Sequence, residues 1–201
     1  MATKLLYQGH GSSRLTTADG RVIFIDPYVG DGYDLPADII LVTHQHDDHN
    51  KTALVTQKPG CVIISNVEAL EGGKHNTITV GDIAIEAVEA SNGNHDPAQC
   101  VGFIVTADGI KVYFSGDTSM TKDMETYPEK KIDYVLLPCD GYYNMGPKEA
   151  SECAKLIGAR YSIPIHIKPG ELYSKELAET FDAPNRLLVA AGEEIELTKA
   201  E

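Results

Sequence analysis

Three imidazoles and two carboxylates are packed into the stretch His44-Gln45-His46-Asp47-Asp48-His49, directly after the apolar run Ile39-Ile40-Leu41-Val42-Thr43. The run reads as a buried strand, so the histidines begin where a strand ends. Side chains two apart on an extended chain share a face, which lets His44 and His46 grip one cation together. Asp48 and His49 come after the chain has begun to turn, where they can face a second cation. Imidazole plus carboxylate with no thiol suits zinc, and manganese or iron where carboxylate weighs more. Solvated histidines on a polar loop would account for any one of these residues, but not for all of them together at the end of a buried strand.

The pattern His-x-His-x-Asp-His after a hydrophobic strand resembles the signature of the metallo-β-lactamase superfamily. That resemblance implies three further ligands downstream, and the sequence offers His95, Asp117 in Ser115-Gly116-Asp117-Thr118, and His166 in Ile163-Pro164-Ile165-His166. By resemblance, His44, His46 and His95 hold one metal, Asp48, His49 and His166 hold the second, and Asp117 bridges both. Asp47 falls at a variable position of the pattern and is expected in the turn. Two divalent ions roughly 3.5–4 Å apart can hold a bridging hydroxide and polarise the scissile group. Zinc is the cation expected, with manganese or iron as alternatives, and Asp48 and Asp117 are the catalytic carboxylates, Asp48 orienting the hydroxide.

Other segments point to a branch of the superfamily. Gly9-His10-Gly11-Ser12 resembles an early Gly-His-Ser segment of the lactonase-like branch, although a packed or backbone-bonded His10 is the plainer expectation. Met145-Gly146-Pro147 resembles the branch related to ascorbate-6-phosphate lactonase and to small metal-dependent hydrolases. In the loop before it, Tyr142 and Tyr143 can pack on substrate or supply hydroxyl donors. Lys168, two residues past His166, is a candidate anion contact, with a solvated lysine as the plainer reading. His75 has no partner in sequence and is expected to be exposed.

These residues need elements to position them. Lys4 to Tyr7 and Val22 to Ile25 read as strands joined by a loop and a turn at Asp19-Gly20. Asn50 to Gln57 reads as a short helix stopped by Pro59-Gly60, and Cys61 to Ile64 as a buried strand. Gly81-Asp82 and Asp108-Gly109 mark hairpins between Thr77–Val80 and Ile83–Val88 and between Val101–Thr106 and Ile110–Phe114. Val135 to Leu137 and Tyr161 to Ile165 read as strands, and Pro147 to Ile157 as a helix ended by Gly158. Ser174 to Phe181 reads as a helix, and Arg186 to Ala190 with Glu194 to Leu197 as a closing strand pair. His44, Asp117 and His166 then all follow strands, and ligands at strand ends can converge on one edge of a rigid scaffold. Many antiparallel strands with few helices place the chain in the α+β class, as two sheets packed face to face with helices outside. The resemblance implies the same architecture, an αββα sandwich of two mixed, largely antiparallel sheets, the metallo-β-lactamase fold.

The 201 residues are expected to form a single domain, 1–201. A formal charge of −13 disfavours non-specific binding to nucleic acid or to anionic membrane. No apolar segment approaches the roughly 20 residues of a membrane span, and the widely spaced Cys61, Cys100, Cys139 and Cys153 suit free thiols in a reducing cytoplasm. The expected protein is a cytoplasmic metal-dependent hydrolase of a small ester, lactone or phosphodiester, with self-association open. The alternatives are a phosphodiesterase or nuclease of the same superfamily, and a metal-binding module without significant turnover. A nuclease would want a basic face that this chain lacks.

Overall fold

In a computed structural model, residues 1–199 are described. Among them, twelve strands form two six-stranded sheets. The first sheet contains β1 (Lys4–Gly9), β2 (Ser12–Thr16), β3 (Val22–Ile25), β4 (Ala37–Val42), β5 (Gln57–Ser65) and β12 (Glu193–Glu196), in the order β12-β1-β2-β3-β4-β5. The second contains β6 (Thr77–Val80), β7 (Ile83–Glu89), β8 (Val101–Ala107), β9 (Ile110–Phe114), β10 (Tyr134–Pro138) and β11 (Tyr161–Ile165), in the order β11-β10-β9-β8-β7-β6. Each sheet has an antiparallel half and a parallel half. β3, β4 and β5 run parallel in the first, and β9, β10 and β11 in the second.

Period-two alternation decides what each strand buries. Ile23, Ile25, Ile39 and Leu41 point between the sheets and pack with Phe103, Val105, Val112 and Phe114 of the second sheet in one apolar core. Their neighbours Phe24, Ile40 and Val42 face outward and are covered by Tyr33, Leu35 and Val55, which lie on loops. On the far side of the second sheet, Tyr113, Val135 and Leu137 pack against Cys153, Ala154 and Ile157 of α2 (Pro147–Ile157). Pro147 opens that helix and left-handed Gly158 ends it. Two short helices complete the set, α1 (Asn66–Ala69) and α3 (Lys175–Ala178). The result is the α+β sandwich of two mixed sheets expected from the sequence.

Several local expectations are corrected. β2 lies within a segment that reads as loop, because Ser-Ser-Arg-Leu-Thr carries little apolar signal. Two of its buried polar side chains find partners inside: Ser12 Oγ donates to the Asp26 carbonyl at 2.6 Å, and Arg14 Nη1 donates to the Gly32 carbonyl at 2.7 Å. β5 is an edge strand of nine residues, and Ile63 is 41% exposed, where sequence implied burial. The helix expected over 50–57 shrinks to a 3₁₀ turn at Thr52–Leu54, and that over 174–181 shrinks to α3. Residues 186–190 do not pair with β12. β12 adds to β1 instead, and Arg186 makes a single bridge to Ser162.

Strand direction matters most for the site. β1 and β3 are both antiparallel to β2, so their carboxyl ends share an edge with those of β4 and β5. By the same reasoning β7 ends on the same edge of its sheet as β9, β10 and β11. The Val101 amide donates to the Thr43 carbonyl at 3.0 Å and the His166 amide to the His10 carbonyl at 2.9 Å, joining the two edges at one end of the sandwich.

Candidate metal centre

Every side chain of interest follows one of those carboxyl ends. His10 follows β1, Asp26 follows β3, the His44–His49 stretch follows β4 and His95 lies on the loop after β7. Asp117 follows β9, Asp140 follows β10 and His166 follows β11. Three of these residues adopt left-handed backbone, His10 at φ +55°, Asp26 at +46° and His166 at +46°. The conformation is costly for residues with a Cβ and recurs where a site needs a sharp turn. Here it turns each side chain back from its strand into the cleft.

The seven residues expected as ligands come together. His44, His46 and His95 form one group able to hold a metal, and Asp48, His49 and His166 form another, joined by His10. His44, His49 and Asp117 form a third, in each of which the donor atoms lie within 4.8 Å of one another. Asp117 sits between the first two groups. Its Oδ1 is 3.3 Å from His49 Nε2, and its Oδ2 is 3.4 Å from His95 Nε2 and 3.5 Å from His166 Nε2.

Four of the histidines are oriented alike. Nδ1 of His44 lies 3.0 Å from Thr43 Oγ1, Nδ1 of His49 lies 2.8 Å from Asp26 Oδ2, Nδ1 of His95 lies 2.9 Å from Asn92 Oδ1, and Nδ1 of His166 lies 3.0 Å from Asp140 Oδ2. An Nδ1–H donated to oxygen leaves the lone pair on Nε2, the arrangement a metal-binding imidazole needs. Thr43 Oγ1 itself donates to Asp26 Oδ2 at 2.7 Å, so only its lone pairs remain for His44. The buried Nε2 atoms of His49, His95 and His166 have no hydrogen-bond partner, and His166 Nδ1 lies near Asp140 Oδ2 without a well-aligned hydrogen bond to it. Orphaned buried nitrogens are rare, and their convergence fits a cation.

The electrostatics agree. Burial opposes ionisation of Asp117, yet the adjacent His49 and His166 hold its carboxyl well below the usual range. Burial likewise disfavours a cationic His49, but Asp117 and Asp26 raise its pKa well above the ordinary value. His44 is pushed down to about 2, first by burial and then by His49. The centre thus favours positive charge beside Asp117 and keeps the His44 imidazole neutral, both suited to metal binding.

His10 is buried, and its ring enters the centre. The ring lies 3.7 Å from that of His166 between centroids, tilted by 41° to it, and its Nε2 lies 3.1 Å from Asp48 Oδ2. Tyr143 lines the cavity over the centre, whereas Tyr142, 72% exposed, does not. Lys168 as an anion contact is corrected: its ammonium pairs with Glu171 and lines neither cavity at the centre. Asp47 is exposed in the turn and His75 is exposed, as expected.

Sequence reasoning missed the groups that hold the histidines, namely Asp26, Asn92 and Asp140. Asp140 accepts the amides of Tyr142 and Tyr143 at 2.7 and 2.6 Å, and its Oδ2 accepts from Asn144 Nδ2 at 2.9 Å. Asn144 Oδ1 accepts from Asn92 Nδ2 at 3.0 Å, so one polar chain runs from His166 to His95. A signal existed for the two aspartates, since both come just after apolar strands.

Comparison with known proteins agrees with this geometry. The family model described as a beta-lactamase superfamily domain matches residues 4–166, from β1 to His166. A UPF0173 metal-dependent hydrolase from Methanoregula boonei is 35% identical over 186 residues, covering 83% of each protein. Another, from Thermococcus onnurineus, is 30% identical over 189 residues, covering 81% of this chain and 84% of its own. Among solved structures, Igni18, a metallo hydrolase from Ignicoccus hospitalis, covers 100% of both chains with a TM-score of 0.79 at 22% identity, a likeness of fold. With the matched span reaching from the first strand to the last expected ligand, the chain belongs to the metallo-β-lactamase superfamily.

Proposed function

We propose that this protein is a hydrolase working through two divalent cations, zinc first among them, on a small ester, lactone or phosphodiester. The observation that carries the reading is the shared orientation of His44, His49, His95 and His166, each with Nδ1 within 3.0 Å of a protein oxygen. His44, His46 and His95 would hold one cation, Asp48, His49 and His166 the other, and Asp117 both. Such a pair supplies Lewis acidity towards the scissile group and a lowered pKa for the attacking water.

The chain's own residues would do the rest. Asp48 is 37% exposed and is steered at Oδ2 by His10, which leaves its other oxygen to align a water at the open side. Tyr143 stands over the same cavity and can offer its hydroxyl to charge developing on the substrate. The similarity to metal-dependent hydrolases supports turnover over passive binding. The charge of −13 weighs against a nucleic-acid substrate.

The test is elemental analysis of protein purified without added metal, wild type beside Asp117→Ala, together with hydrolysis of generic ester, lactone and phosphodiester substrates. About two zinc or manganese ions per chain are expected, with fewer in the variant, and metal-dependent turnover lost in His46→Ala. One iron per chain, or no metal, would overturn the two-cation reading. Full loading without turnover on any substrate would leave a metal-binding module.

A further inference from the structure

Two cavities adjoin at the centre. One of about 320 Å³ lies over Asp117, and it shares Asp48 and Tyr143 with a second of about 220 Å³. The second extends from His10 to the turn after His166, with Tyr28, Val29, Pro169 and Leu172 on its wall. This wall is tied to the centre. The His10 amide donates to the Leu172 carbonyl at 2.9 Å, and the His10 carbonyl accepts from the His166 amide at 2.9 Å. Both ends of segment 166–172 therefore hang from one residue, His10. The Tyr28 ring lies 5.4 Å from that of His10.

The charges on these walls are one-sided. Among the described residues, neither lining includes Lys or Arg, while Glu171 and Asp48 face the second cavity. A phosphate or sulfate placed in the second cavity, beyond the proposed cations, would meet carboxylates and no guanidinium or ammonium, the reverse of what binds such groups. An uncharged carbon chain or ring would meet aromatic and aliphatic surface.

We propose that the second cavity is the acyl pocket of the substrate, that it takes an uncharged alkyl or aryl group, and that the substrates are neutral carboxylic esters or lactones. This rests on the hydrolase reading above. The volume equals that of about seven waters, which suits an acyl chain of some six carbons. In the reaction the acyl C–O bond to the leaving oxygen breaks and a C–O bond to the water oxygen forms. One proton of the water goes to the leaving alkoxide and the other is released, leaving a carboxylate and an alcohol.

The experiment compares zinc-loaded wild type with Val29→Asp and Leu172→Asp, two wall residues outside the reacting groups. kcat/KM is measured for 4-nitrophenyl acetate, butyrate and hexanoate and for bis(4-nitrophenyl) phosphate. Calorimetric affinities are measured for acetohydroxamate and hexanohydroxamate, whose tails report the pocket without turnover. A fully buried methylene is worth about fourfold, so four methylenes in a pocket this open should give hexanoate an advantage of about 10-fold, in rate and in affinity. Both variants should lose that advantage, the ratio of hexanoate to acetate kcat/KM and the ratio of the two hydroxamate affinities each falling to about one. Equal activity on all chain lengths, hydroxamate affinity independent of the tail, or faster cleavage of the phosphodiester would overturn the acyl pocket and leave the hydrolase reading standing. Absence of both metal and turnover would remove the hydrolase reading first, and the pocket with it.

Discussion

Asp26 joins the metal-binding stretch to the strand beside it. Its Oδ1 accepts from the Thr43 amide at 2.8 Å, and its Oδ2 accepts from Thr43 Oγ1 and faces His49 Nδ1. Only a carboxylate can accept from all three. Asp26→Asn keeps the shape but turns an N–H towards one of these donors. The expected outcome is metal affinity lower by about 10–100-fold and stability lower by about 1–3 kcal/mol, checked by chelator competition and urea unfolding. The candidate ligands themselves were legible, because His-x-His-x-Asp-His is a local pattern and, by resemblance, His95, Asp117 and His166 follow it in the expected order. Asp26 and Asp140 were harder, because an aspartate after a strand is ordinary until the histidine it faces is known. Asn92 sits in a polar loop, where nothing distinguishes it from Asn94.

At the scale of elements, the site depends on how strands stop. Gly116, at φ +62°, separates β9 from Asp117, and a Cβ there would lie 2.9 Å from both Thr43 Cβ and the Val101 carbonyl. The neighbours are a side-chain root and a backbone atom, which cannot swing away. Gly116→Ala should therefore cost about 2–4 kcal/mol, combining the left-handed penalty with overpacking. A fall in the urea midpoint at unchanged m-value would check it, with weaker metal loading because Asp117 is displaced. Strands with a continuous apolar run or a hairpin turn beside them, such as β4, β8 and β9, were readable from residue pattern. β2 was not, since buried Ser and Arg are recognisable only by the partners that satisfy them. β5 misled because its apolar run resembles a buried strand, and only its place at the end of the sheet exposes it.

At the scale of the molecule, the first sheet contributes His44 to His49 and the second contributes His95, Asp117 and His166. A cation bound by both sheets binds only the assembled sandwich, so its affinity adds directly to folding stability. Removing metal with a chelator should lower unfolding free energy by about 3 kcal/mol if the metal had been present at about 100 times its dissociation constant. Thermal unfolding before and after chelation measures this, and Asp117→Ala should be nearly indifferent to the chelator. Among the described residues no helix is long and apolar enough to cross a membrane.

The sequence by itself determined the ligand types, their order and their placement after strands, because a strand's period and a short motif are properties of neighbouring residues. It also determined the class of fold, through the run of hairpins followed by strand and helix alternation. Tertiary structure decided which strand ends meet, that an oxygen lies within 3.0 Å of Nδ1 in each of four histidines, that His10 leans on His166, and that among the described residues no Lys or Arg lines the cavity beside them. Those outcomes depend on strand direction and on contacts between residues as far apart as His10 and Leu172. Local pattern carries no information about them, since each partner has an unremarkable sequence environment until the sheets close.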